Sequence, residues 1–219
     1  MKQTVTGLCL LLIAHCVWAI QLSPMFHLLD AAGAGSMNSY QVFNPSDTDV
    51  FIDISITKIN GSEQLPSDDD FLILPPQGRI PPNSAQRFRI RYLGDMPTQT
   101  TLYRVTFEQV NPVELSDDQS SSVALLFKFS TSVMVSPLDC NSNINVDVES
   151  KSVKFLNTGN CVFDMSETQF ELSGEAGSEV IGWEDFQSGA GGYLMPGRNV
   201  FLKLPDSLAK YKEVRVIGQ

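Results

Sequence analysis

Leu102-Tyr-Arg-Val-Thr-Phe-Glu-Gln-Val110, followed by Asn111-Pro112, and then Val123-Ala-Leu-Leu-Phe-Lys-Phe-Ser-Thr-Ser-Val-Met-Val135, are the two runs that decide the fold. Both are rich in β-branched and aromatic residues, the side chains that fit a pleated surface. In the second run Val123, Leu125, Phe127 and Phe129 recur with period two, which places them on one face of a strand. The opposite face is mixed: Ala124, Leu126, Lys128 and Ser130. A strand with one continuous large apolar face must bury it in its own core or lend it to a partner.

The pattern repeats outward in both directions. Ser39–Phe43, Val50–Ile59, Phe71–Leu74 and Gln86–Tyr92 are further strand-like runs. Between them lie turn clusters such as Asn44-Pro-Ser-Asp47, Asn60-Gly-Ser62, Pro75-Pro-Gln-Gly78 and Pro81-Pro-Asn-Ser84. Short strands at this spacing predict a β-sandwich. In Phe51–Ile59 the side chains Ile52, Ile54 and Ile56 share one face, while Asp53, Ser55 and Thr57 share the wetter one. Ser136-Pro-Leu-Asp139 interrupts the series, because proline cannot donate to a ladder. A second series follows at Ile144–Val148, Val153–Leu156, Phe163, Gln169–Leu172, Val180–Trp183, Tyr193–Met195, Val200–Leu204 and Val214–Ile217. Only Ser207–Lys212 has any helical character. The expectation is an all-β chain of two β-sandwiches, residues 20–136 and 137–219, with the boundary near Ser136–Asp139.

Residues 1–19 read as a secretory signal. Lys2 provides the positive start, Leu8–Ile13 the apolar centre, and Val17 and Ala19 the small residues that cleavage reads. The expected cleavage after Ala19 leaves Ile20–Gln219. Lys2 is the one charge removed, so 14 of the 15 basic residues remain against 25 acidic ones, a net charge of −11. That balance excludes a nucleic-acid role, whose footprint is a basic surface. Cys9 and Cys16 go with the signal, leaving Cys140 and Cys161. An exported chain with two cysteines most simply forms one disulfide.

Chemistry-bearing patterns are few. Beyond the signal, one histidine, His27, and two cysteines make no metal site. Asp68-Asp-Asp70 and Asp117-Asp118 lack the spacing of a calcium loop and read as loop solubilisers. No nucleophile elbow is present, and Gly189-Ala-Gly-Gly192 precedes a strand, not a helix. Neither an enzyme activity nor a cofactor is expected. His27 is either a packed histidine or a pH-sensitive one. Arg87, Arg89 and Arg91 form an alternating basic face, read as solvated or as able to steer an acidic tail. A secreted two-domain binding module, an adhesin or carbohydrate binder, is the alternative reading. It would use exposed aromatics among Trp183, Tyr193 and Tyr211, whose spacing suits core positions better.

With two sandwiches behind a signal, the chain resembles the periplasmic chaperones that assemble pili and fimbriae, the immunoglobulin-like PapD family. It is closer to the divergent alternate branch of class 5 and common-pilus systems. The residues that carry this are Asn44-Pro-Ser46, Leu72–Ile90 with its Pro-Pro-Gln-Gly-Arg centre, Tyr103–Pro112, Phe155-Leu-Asn-Thr-Gly-Asn160 and Gly192-Tyr-Leu-Met-Pro-Gly-Arg198. The resemblance implies that the two sandwiches are immunoglobulin-like and meet at an angle with a cleft between them. It implies donor-strand complementation as well. A subunit sandwich lacking its last strand is completed by the chaperone's seventh strand, with Val123, Leu125, Phe127 and Phe129 as inserted residues. It also implies pilus or fimbrial subunits and an outer-membrane usher as partners, a periplasmic location, and a free chaperone able to cap itself by self-association. Typical members grip the subunit's terminal carboxylate with an arginine in the first strand and a lysine late in the donor strand. Here Phe26 or His27 and Ser132 occupy those places, so Arg104 is the first candidate anchor and Lys128 the second. A surface ion pair of Arg104 with Glu108 is the plainer alternative.

Overall fold

The computed structural model describes residues 19–110, 126–149, 151–175, 177–186 and 191–218. The first half contains ten strands: β1 (Gln21–Ser23), β2 (Phe26–Asp30), β3 (Met37–Asn44), β4 (Val50–Asn60), β5 (Glu63–Pro66), β6 (Phe71–Leu74), β7 (Gln77–Ile80), β8 (Ser84–Tyr92), β9 (Thr101–Val110) and β10 (Lys128–Ser136). They form two sheets, one ordered β1-β3-β8-β6 and the other β2-β10-β9-β4-β5, with β7 also paired to β4.

Alternation fixes which side chains meet between the sheets. Val50, Ile52, Ile54 and Ile56 of β4 are buried, as are Tyr103, Val105 and Phe107 of β9. From the opposite sheet come Tyr40 and Val42 of β3 and Phe88 and Ile90 of β8. The apolar side predicted for Phe51–Ile59 is therefore the core side. The Asn60-Gly-Ser62 signal is a tight hairpin: Asn60 pairs with Glu63, and Gly61 takes a φ of +61°, which favours glycine.

Four segments differ from the sequence expectation. The first strand, in which the resemblance sets Phe26 or His27 at the anchor place, is two strands in different sheets, Gln21–Ser23 and Phe26–Asp30, and the break falls at Pro24, which has no N–H for a ladder. Gln77–Ile80 and Glu63–Pro66, read as connections, pair with β4. Ser207–Lys212 forms successive turns closed by Leu208 N–H to Pro205 O and Tyr211 N–H to Leu208 O, and the short 3₁₀ segments lie at Ala34–Ser36, Asp68–Asp70 and Trp183–Phe186.

The second half has its own core. Strands β11 (Ile144–Glu149), β12 (Ser152–Asn157) and β17 (Asn199–Lys203) make one sheet; β15 (Gly177–Ile181), β14 (Gln169–Gly174) and β18 (Glu213–Gly218) make another; β13 (Phe163–Asp164) pairs with β16 (Tyr193–Leu194). Phe155, Phe170, Trp183 and Phe186 meet in mutual edge-on and tilted contacts between the sheets. Aromatic pairs prefer these geometries to face-to-face stacking. The fold is thus two immunoglobulin-like β-sandwiches with separate hydrophobic cores.

A buried asparagine closes each core. Asn44, fully buried, donates from Nδ2 to the carbonyls of Thr48, Ile80 and Pro81, and its Oδ1 accepts from Ser46 N–H and Oγ–H. Asn157 repeats the device, donating to the carbonyls of Cys161 and Leu194 and accepting from Gly159 N–H. Loop carbonyls that the strand ladders leave unpaired are satisfied this way. Cys140 and Cys161 are joined, with their Cα atoms 5.6 Å apart.

Candidate functional site

The site is built around β10. It pairs antiparallel with β9 along Lys128–Val135, but with β2 only along Ser132–Ser136, where the two strands run parallel. The N-terminal half of β10 thus has no partner on its outer edge among the described residues. The hydrogen bonds show which groups are left there. Gln109 N–H donates to Phe127 O, so odd-numbered residues turn their backbone groups toward β9. Ser132 N–H donates to Met25 O, and Ala31 N–H to Ser136 O, so even-numbered residues turn theirs outward. By that alternation the N–H and C=O of Lys128 and Ser130 face an unpaired edge.

The inward face of β10 changes along the same line. Val135, Val133 and Thr131 are buried, with Thr131 Oγ1 donating to the Tyr40 hydroxyl at 2.9 Å. Phe129 and Phe127 continue that face but are only half-covered, their ring centroids 5.2 Å apart. Phe127 packs on the margin of the first core. Two aromatic side chains therefore lead out of the core at the place where the strand edge opens. Val123 and Leu125, expected on the same face, lie outside the described residues.

The outer face of this sheet is arranged in cross-strand rows. One row runs Phe26, Ser132, Arg104, Thr57 and Pro66, across β2, β10, β9, β4 and β5. The next has Ser130, Thr106 and Ser55, with Thr106 Oγ1 and Ser130 Oγ 3.2 Å apart, and the next Lys128, Glu108 and Asp53. Glu108 pairs with Lys128 at 2.8 Å, both exposed, and not with Arg104. Among the described residues no ion pair includes Arg104, which is half-buried. Beside it, Thr57 Oγ1 is a buried side-chain oxygen without a hydrogen-bond partner. The two anchor candidates are therefore unlike: Lys128 is matched by an acid, whereas Arg104 lies in a row of hydroxyls.

One end of that row meets the second sandwich. The Phe26 ring packs on Tyr193 with centroids 5.0 Å apart. Thr100 ties the two halves: its N–H donates to Asn160 O, its Oγ1 accepts from Val162 N–H, and the same oxygen lies 2.8 Å from Ser136 Oγ. A cleft of about 570 Å³ opens beside these contacts, with Lys58 and Arg198 from opposite halves among its lining. Sequence reading assigned no site role to Lys58, Thr57 or Arg198, and met Phe26 only as an occupant of the usual anchor position. The one available signal was Lys58 at the end of the otherwise apolar Ile52-Ile54-Ile56 face.

The remaining sequence candidates resolve as structural groups. His27 is buried on β2, its Nε2 3.1 Å from Ser39 O and its ring edge-on to Tyr40. Burial lowers its pKa, more than the Ser39 bond raises it. Burial likewise pushes the Tyr40 hydroxyl up to about 12, against the smaller opposing effect of the Thr131 bond. Trp183 and Tyr211 are buried, and Tyr193 is half-covered against Phe26, so the aromatics that a carbohydrate groove would expose are packed. Among the described residues no three histidine, cysteine or carboxylate side chains cluster as metal ligands.

Residues 29–141 match the family model described as pili and flagellar-assembly chaperone, PapD N-terminal domain. Three solved structures share the fold. The class 5 fimbriae chaperone CfaA has a TM-score of 0.60 at 14% identity, covering 92% of this chain and 99% of its own. The E. coli chaperone DraB has 0.57 at 15%, covering 91% and 96%. A chain of the Salmonella enterica complex of SafA pilin with the SafB chaperone has 0.56 at 18%, covering 94% and 99%. Comparison of the sequence with curated proteins finds no match.

Proposed function

We propose that this chain, which belongs to the pilus and flagellar-assembly chaperone family, captures an incomplete pilus or fimbrial subunit on the open half of β10 and holds it until assembly. The observation that carries the reading is the coincidence, among the described residues, of an unpaired backbone edge at Lys128 and Ser130 with the half-covered Phe127 and Phe129. Added main-chain hydrogen bonds would supply affinity, and the aromatic side chains would supply register and burial. Each fully buried aromatic contributes about 1.5–3 kcal/mol. Val123 and Leu125 extend the same face by sequence.

The geometry supports Arg104 as the anchor. A subunit strand collinear with β2 runs parallel to β10, about 4.8 Å from it. Its C-terminus then arrives where β2 begins, in the row of Phe26, Ser132 and Arg104. A terminal carboxylate there would meet a guanidinium that has no acid partner among the described residues, and Arg suits a two-pronged grip on such a group. Lys128, matched by Glu108, is the weaker candidate.

Residues 20–136 are the subunit-holding module and 137–219 the second, with Cys140–Cys161 stapling the start of the latter. Family members are periplasmic in general, and the signal at residues 1–19, cleaved after Ala19, would deliver this chain there. Delivery to an outer-membrane usher and self-capping of the free edge complete the cycle. It calls for no cofactor or enzymatic step, in keeping with a family of chaperones.

The test is periplasmic co-expression with candidate subunits, followed by pull-down of wild type, Phe127→Glu/Phe129→Glu, Lys128→Pro and Arg104→Ala. Lys128→Pro removes an outward N–H and none of the ladder to β9. Subunit retained by wild type, lost with the two edge variants and weakened with Arg104→Ala supports the proposal. Equal retention by all four would refute the site, and retention by none would refute the function.

A further inference from the structure

We propose that the outer face of the four-stranded sheet is a second docking surface, shaped for an extended acidic segment of a partner protein. It stands on different residues from the β10 edge and does not depend on that reading. Arg87, Arg89 and Arg91 alternate along β8, and all three are exposed. Alternate residues of a strand point to one face, about 6.8 Å apart. Their cross-strand neighbours are Gln41, Ser39 and Met37 on β3, and Leu74 and Leu72 beside Arg89 and Arg91 on β6. No acid stands at any of these positions.

Five cations elsewhere are matched by carboxylates, in Arg79–Asp49, Lys128–Glu108, Lys151–Asp206, Lys212–Glu175 and Arg215–Glu171. Exposed Arg198, Lys203 and Lys210 enter no ion pair among the described residues, but only the three arginines of β8 stand in a row on one strand face. Among the described residues the three ladder arginines enter no ion pair, although the chain carries 25 acidic residues and a net charge of −10. Like charges in a row repel one another, so the arrangement leaves its compensation to something outside the chain.

The flanks define what that is. Met37, Leu72 and Leu74 are 54%, 41% and 52% exposed, so the arginine row is bordered by apolar surface. The outer edge of β6 is unpaired among the described residues. An extended segment with a carboxylate at every second residue repeats at the same spacing as the arginines and would seat one acid on each guanidinium. Small or apolar residues between the acids would lie over the leucines. An anionic lipid surface fits less well, because a net charge of −10 opposes approach to it while a protein segment needs only local complementarity.

Two fluorescein-labelled decapeptides of identical composition, five glutamates and five threonines, test this. One alternates them and the other groups them in blocks. Anisotropy titrations at low and physiological salt would use the chain from Ile20, together with Arg87→Gln/Arg89→Gln/Arg91→Gln, the milder Arg89→Gln and Phe127→Glu/Phe129→Glu. The expected result is binding of the alternating peptide, at least threefold weaker binding of the blocked one, and at least tenfold loss in the triple variant. Arg89→Gln should lose in the same direction, and the β10 variant should bind like wild type. Failure of the wild type to bind, equal binding of the two peptides, or undiminished binding by the triple variant overturns the proposal. Arginine-dependent binding to phosphatidylglycerol vesicles without peptide binding would overturn it in favour of a lipid surface.

Discussion

Asn44→Asp is a nearly isosteric change that should destabilise one sandwich and spare the other. Asn44 Nδ2 supplies hydrogens to three carbonyls, of Thr48, Ile80 and Pro81, at 2.8, 2.9 and 3.2 Å. The bond to Ile80 is buried, and the other two are partly so. A buried acceptor left unsatisfied costs about 1–3 kcal/mol, and partly wet ones fall at the lower end, so Asn44→Ala should cost about 3 kcal/mol. Asn44→Asp keeps the bonds from Ser46 but turns an acceptor toward three acceptors in a fully buried site, so its cost should equal or exceed that of the alanine. The readout separates the halves. In a chain beginning at Ile20 the sole tryptophan is Trp183, in the core of the second sandwich. Urea unfolding followed by tryptophan fluorescence reports that half, and far-ultraviolet circular dichroism reports both. With an m of about 1.5 kcal/mol/M, a loss of 3 kcal/mol lowers the midpoint of the first sandwich by about 2 M. The Trp183 transition should stay in place, and Asn157→Asp should move it instead. An Asn44→Asp variant within about 0.5 kcal/mol of wild type would refute the reasoning, since the donor role of the amide would then be dispensable.

Three further outcomes are expected. His27 has a folded pKa below its ordinary value, so its contribution is present above about pH 6.5 and is lost as pH falls below it, because the unfolded chain binds the proton more readily. The circular-dichroism midpoint should therefore fall between pH 7.5 and 5, and less so in His27→Gln; an identical pH profile in the variant would count against the buried imidazole. Opening the Cys140–Cys161 bond with Cys140→Ser/Cys161→Ser frees a loop of 21 positions and should lower the stability of the Trp183 half by about 3 kcal/mol, read from its fluorescence midpoint. The exposed Lys128–Glu108 pair should matter little: Lys128→Ala should change stability by less than about 1 kcal/mol and leave subunit capture intact, in contrast to Arg104→Ala.

Much of the fold could be read in advance because a strand's faces are set by alternation alone. The isoleucines of β4, the aromatics of β9 and the arginines of β8 each stand on the side that period two assigns. Phe127 and Phe129 were legible for the same reason. The errors came where local pattern is silent. Glu63–Pro66 and Gln77–Ile80 have too few apolar residues to announce a strand, and β4 recruits them by offering free backbone groups. Ser207–Lys212 has helical residues but closes only turns, since a segment that short cannot repay the cost of a helical nucleus.

Sequence by itself determined the class, the two cores, the cysteine pair and the strand whose apolar face needs covering, because these follow from composition and period. Only the tertiary structure decided which half of that strand is open, since that depends on how far β2 reaches along β10. It also decided that Glu108 belongs to Lys128 and leaves Arg104 without an acid among the described residues, because register sets which charges stand side by side. A residue's neighbours along the chain say which way it points; only the strands packed against it say whether its charge and its backbone are already spoken for.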